Sequence, residues 1–270
     1  MRRKPVFLLC LVILGLGLFV RPVLAHNLWL NPDNYFPALG STVSIGIGWG
    51  HKYPADRNDE KLKAGRLEAI QALAPDGREV ELEKVSETEY RLKIDQAGAY
   101  VVTARIKPSF FTMTPEGRKW GNKQEVADAD KCTNFHLEAK TVLQAGAGAR
   151  DSQLTGQTLE LRPLSDLAAL KAGDKLVVQL FYAGQPLAGA TINATDAGFV
   201  DASASKSATK DAHSAHHHPV SVVTDSQGRA ELTLARAGYW LLLFSHKPPY
   251  QDTTICDQYL YNVTFSCEVR

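Results

Sequence analysis

Eight histidines, at 26, 51, 136, 213, 216, 217, 218 and 246, are the residues of this chain best suited to chemistry. A sandwich core has no need of so many, and imidazole nitrogens bind late first-row divalent metals. Four of them fall in "DASASKSATKDAHSAHHHPVS" (201–221), which is poor in apolar residues and rich in Ser, Ala and Lys. Such a composition cannot form a core and predicts a loop that captures metal through His213, His216, His217 and His218. His26 sits in "VLAHNLWLNP" (23–32), directly after a candidate cleavage site. As a new first residue it would offer its α-amine and ring Nδ1 to one ion in a six-membered chelate. Both donors have reference pKa values near neutrality, about 7.7–8.0 and 6.5, so a metal displaces little proton. His51, in "GWGHKYP", follows glycines that let backbone approach closely and is a second ligand candidate. His136, in "CTNFH", and His246, closing "WLLLFSH", lie at strand ends and are further metal candidates.

The cut itself is predicted by the first 25 residues. Arg2, Arg3 and Lys4 precede an apolar run at 6–20, and Pro22 breaks the segment before Ala25. The run is shorter than the ~20 residues of a membrane span. The expectation is a signal peptide over 1–25, export to the periplasm, and no direct membrane span afterwards. Removing four positive charges and no negative ones leaves 26 basic against 29 acidic residues, a balance of −3. That gives no basic field for nucleic acid. Cys132, Cys256 and Cys267 would remain. Export permits a disulfide, and both Cys132–Cys256 and Cys256–Cys267 are open.

The elements that must position these residues repeat. "ALGSTVSIGIGWGH" (38–51) echoes "KAGDKLVVQLFYAGQP" (171–186), and "PDGREVEL" (75–82) echoes "SQGRAELTL" (226–234). "AGAYVVTARIKPSFF" (97–111) echoes "AGYWLLLFSHKPPY" (237–250), and "CTNF" (132–135) echoes "CDQY" (256–259). Short β-rich runs between Gly, Pro, Asp and Asn turns dominate both halves. The reading is all-β: two tandem immunoglobulin-like or transthyretin-like β-sandwich domains, over 26–148 and 158–270, joined by a linker at 149–157. "LSDLAALKAGD" (164–174) allows one short helical turn.

"AHNLWLNP", the GH-x-x-P segment from Gly50 to Pro54, and "TDSQGRAELTLARAGYWLL" together resemble the periplasmic component of bacterial nickel/cobalt uptake systems, a family long catalogued as a domain of unknown function. The resemblance covers essentially the whole mature chain. It implies binding of Ni2+ or Co2+ at His26 and His51, in service of a membrane transporter of the energy-coupling-factor ABC type. Zn2+ and Cu2+ also suit nitrogen ligands. A second reading is an adhesion or carbohydrate-binding module that stacks sugars on Trp29, Trp49, Trp120 or Trp240. A third is a copper-brace oxidoreductase, because an N-terminal histidine with a second histidine resembles that site. No arrangement of Ser, His and Asp or of Cys and His argues for hydrolysis, so the expectation is a binding protein and not an enzyme.

Overall fold

The computed structural model describes residues 26–50, 53–54, 62–147, 152–199 and 218–270. They form eighteen strands and no helix. The segment at 164–174 is a plain turn, closed by Ala169 N–H donating to the Asp166 carbonyl.

The first half supplies β1 (Asn27–Pro32), β2 (Thr42–Gly50), β3 (Leu67–Leu73), β4 (Glu79–Val80), β5 (Leu82–Lys84), β6 (Glu89–Lys93), β7 (Gly98–Ile106), β8 (Ser109–Thr114), β9 (Gly117–Trp120) and β10 (Lys131–Ala145). The second supplies β11 (Leu159–Pro163), β12 (Lys175–Tyr182), β13 (Gln185–Pro186), β14 (Thr191–Asp196), β15 (Val220–Val223), β16 (Arg229–Thr233), β17 (Gly238–His246) and β18 (Gln258–Val269). Alternation sets their faces. In β2, Val43, Ile45 and Ile47 are buried while Ser44, Gly46 and Gly48 take the other side.

Two sandwiches are present, and they share a sheet. A central sheet runs β15-β14-β17-β18-β10-β7-β3-β4, with the β8–β9 hairpin attached to β10. Smaller sheets, β1-β2-β6-β5 and β11-β12-β13 with β16 on β12, cover it. The join is β10 against β18, the parallel pair, in register from Thr133↔Gln258 to Thr141↔Ser266. Strand order β7-β10-β18-β17 is what a two-fold rotation about an axis along the strands would generate. Such a rotation turns the sheet over, so the two smaller sheets lie on opposite faces. Leu137, Ala139 and Leu143 of β10 join one core with Leu28, Leu30, Ile45 and Leu92. Val142 of β10 joins the other, with Leu161, Leu180, Trp240 and Phe265. This is why β10 is buried along both sides of nearly its whole length.

Three of the four sequence echoes fall on equivalent strands: β2 with β12, β7 with β17, β10 with β18. The fourth does not. The turn at Pro75–Gly77 joins β3 to β4 within the central sheet, whereas the turn at Ser226–Gly228 joins β15 to β16 and crosses between sheets. A glycine turn leading into a polar-apolar strand recurs wherever β-strands reverse, so that match reported turn chemistry and not position. Of the segment expected as linker, residues 152–157 are fastened down. Gln153 donates to the Pro75 carbonyl, and Thr155 and Gly156 donate to the Glu160 carboxylate.

Candidate functional site

β1 places His26. Its two edges are both satisfied. One pairs with β2 from Asn27↔Gly50 to Pro32↔Ile45. The other abuts the face of β18, where Thr264 Oγ1 donates to the Leu28 carbonyl at 2.6 Å and Ser266 Oγ to the Leu30 carbonyl at 2.7 Å. Asn262 Nδ2 donates to Asn27 Oδ1 at 2.9 Å. Trp29 is 1% exposed. Its indole lies over Gly48, where an added Cβ would meet Nε1 at 1.9 Å, and Tyr53 meets it edge-on. His26 itself stacks on Trp49, with ring centroids 5.2 Å apart and planes 16° apart. Its Nε2 is buried. His51 lies outside the described residues.

His136 and His246 come together, but not with His26. Both are partners of Tyr261, His136 from β10 and His246 from β17. The three side chains make one row across adjacent strands, on the face of β18 opposite to Asn262 and Thr264, which touch β1. Rings continue from the row: His136 to Tyr261 at 4.7 Å, His246 to Tyr182 at 4.5 Å, Tyr259 to Tyr250 at 4.6 Å. His136 Nε2 lies 2.7 Å from Asn134 Oδ1. Burial lowers the pKa of both histidines and raises that of Tyr261 to about 12. Neutral imidazoles are the metal-binding form, yet the central sheet stands between this row and His26. Among the described residues no three His, Cys, Asp or Glu gather as a metal-binding group.

His213, His216 and His217 lie outside the described residues. The segment that carries them leaves after Phe199 and returns at His218. Ala197 N–H donates to the Tyr239 carbonyl there, and Val220 pairs with Ala194. Asn262, which holds β1, pairs with Ser245. Six residues of β17 separate the two levels, about 20 Å, so the histidine-rich segment is rooted at the far end of the sheet from His26.

Cys132 and Cys256 form the disulfide, and Cys267 is free and buried, its thiol pushed up to about 12 by burial. Of the tryptophans considered for sugar stacking, Trp29 and Trp240 are 1% exposed and belong to the interior. Trp120 is 64% exposed, with the Arg118 guanidinium 5.3 Å from its ring.

Sequence reasoning missed a buried charged row on β10. Glu138 and Lys140 follow His136 on one face. Lys140 is 1% exposed and donates to Glu160 at 2.5 Å and to the Gln153 carbonyl. Burial pulls its pKa down, and Glu160 pulls it back up. Glu138 is pushed up to about 7, first by burial, with Arg105 opposing. The signal was present: "HLEAKTVL" puts two charges inside an otherwise apolar strand.

The model of the family described as Domain of unknown function (DUF4198) matches residues 23–248. No curated protein matches the chain. Among solved structures, the D00-D0 domain of Intimin is similar at 14% identity and a TM-score of 0.21, covering 90% of this chain and 99% of that one. Fibronectin(III)-like modules of Clostridium thermocellum CbhA are similar at 8% and 0.21, covering 89% and 94%. Murine CEACAM1b is similar at 9% and 0.21, covering 91% and 99%.

Proposed function

We propose that this chain, which belongs to the DUF4198 family, captures a divalent transition metal, Ni2+ or Co2+, outside the cytoplasm and passes it to a membrane uptake transporter of the energy-coupling-factor ABC type. The α-amine and Nδ1 of His26, freed by cleavage after Ala25, form the chelate, and His51 closes the coordination sphere. One observation carries the reading. His26 does not fray: its strand is bonded along both edges and its ring rests on Trp49. A preformed ligand loses little freedom on binding. The residues present fit nitrogen ligation, which also accommodates Zn2+ and Cu2+. His136 and His246 are not ligands of this site, because they lie across the sheet. The protein acts by binding and release, without catalysis.

Native mass spectrometry of exported protein tests the premise: its chain begins at His26 and carries one metal equivalent. Titration calorimetry tests the chelate. Acetylating the amine, or adding one residue before His26, lowers Ni2+ or Co2+ affinity at least ~10-fold, about 1.4 kcal/mol. Unchanged affinity in the blocked protein would remove His26 from the site.

A further inference from the structure

The first sandwich has a gap in the side chains of its outer face. Across β1, β2 and β6 one row of that face reads Asn31, Gly46, Glu89. The middle member has no side chain, and a polar cleft of roughly 270 Å³ opens over it, bounded also by Asp33, Ser44 and Thr88. Packing does not require this glycine. At Gly48, two residues on, an added Cβ would strike the Trp29 indole at 1.9 Å. At Gly46 it would meet only the Asn31 carbonyl at 3.6 Å and Cβ at 3.9 Å, ordinary contact. The two glycines share a face and differ in what fills it: a tryptophan covers one and nothing covers the other.

The groups around the gap define what would fill it. Asp33 Oδ1 accepts from the Ser44 amide and Glu89 Oε1 from the Ser44 hydroxyl, and neither carboxylate has an ion-pair partner among the described residues. Their remaining oxygens are acceptors in search of donors. Asn31 is 6% exposed, and its Nδ2 has no hydrogen-bond partner. That is a donor in search of an acceptor, and a buried orphan of this kind costs about 1–3 kcal/mol. An anion is repelled by the two carboxylates. A bare cation serves the carboxylates and leaves the amide nitrogen unmet. A hydroxyl group donates and accepts at once, and several on one small ring serve all three residues. The volume lies just below the ~300–1,000 Å³ of drug-sized pockets, which limits the ligand to about one ring.

We propose that the Asn31–Gly46–Glu89 cleft binds a single sugar ring or similar cyclic polyol, through hydroxyls donated to Asp33 and Glu89 and accepted from Asn31. Five residues of β1, about 17 Å, separate Asn31 from His26, so this site is independent of the metal site.

The test uses the mature chain with D-glucose, D-galactose, L-rhamnose and myo-inositol, each at about 20 mM, read by saturation-transfer and amide-shift NMR. At least one of them binds, with Kd of about 1 mM and shifts centred on Asn31, Gly46 and Thr88. Gly46→Ala fills the gap, keeps the melting temperature and weakens binding at least ~10-fold. Glu89→Gln, which keeps shape and loses an acceptor, weakens it by a similar factor and stands as the second variant should Gly46→Ala misfold. Three results overturn the proposal: no shifts with any of the four probes, binding undiminished in a folded variant, or cleft shifts produced by CaCl2 and by none of the polyols. Metal affinity at His26 is unaltered in both variants, so either site can fail alone.

Discussion

At the scale of single residues, the glycines of "GIGWG" divide the labour of β2. Gly48 exists for Trp29, whose indole occupies the space of any side chain there. Gly48→Ala drives backbone against a fully buried ring. The expected cost is about 3 kcal/mol or more, since overpacking runs ~1–3 and Trp29 has no room to retreat. Urea unfolding of Gly48→Ala beside Gly46→Ala checks this: the first loses most of its stability and the second loses almost none. Equal losses would mean that Trp29 is not what requires the glycine. His26 is legible in the sequence as a ligand candidate because cleavage chemistry is local. What anchors it was not legible, because Thr264 and Ser266 lie more than 230 positions away and carry no mark of their partner.

At the scale of elements, β1 shows how a strand can be held on an edge with no strand beside it. Hydroxyls of β18 take the place of a ladder and donate to the Leu28 and Leu30 carbonyls. Thr264→Val and Ser266→Ala each leave a buried carbonyl short of its donor, at about 1–2 kcal/mol apiece. In the double variant, hydrogen exchange at the amides of β1 quickens before that of β10, and thermal unfolding shifts down by several degrees. Exchange in β1 that stays as slow as in β10 would show that the hydroxyls are not its clamp. The strand pattern was readable element by element, since alternation in β2 and β16 reports one buried face each. β10 was readable as a strand and not as the centre. A segment buried on both faces loses the alternation that tells which way its side chains point. The echo of "CTNF" and "CDQY" marked the two strands that meet and the two cysteines that bond. A repeat shows which segments are equivalent and says nothing about contact, so the pairing stayed open until the fold closed it.

At the scale of the molecule, ionisable groups of β10 and β17 that are wholly or partly buried push stability in opposite directions with pH. Burial lifts the Glu138 pKa to about 7, with Arg105 opposing it and Glu68 and Glu160 adding to the lift. The folded state therefore favours the protonated acid. Stability contributed this way is whole below the unfolded value near ~4.3 and falls as pH rises through about 7, by roughly 3 kcal/mol. His136 and His246 have lowered values, so their contribution holds above ~6.5 and is lost as pH falls. Both effects act below about pH 7, where they oppose each other, so Glu138→Gln removes the fall and makes melting temperature climb more steeply between about pH 5 and 7, while the profile from about pH 7.5 to 9 keeps its shape. A profile between about pH 5 and 7 unchanged by that substitution would assign the slope to another group. The parallel pairing of β10 with β18, fastened by the disulfide, has a mechanical consequence. Two lobes that grow from opposite faces of one continuous sheet have no hinge between them. Among the described residues, then, the fold offers no jaw to shut, and the metal capture proposed above would have to use grips already shaped and release by competition from a stronger one.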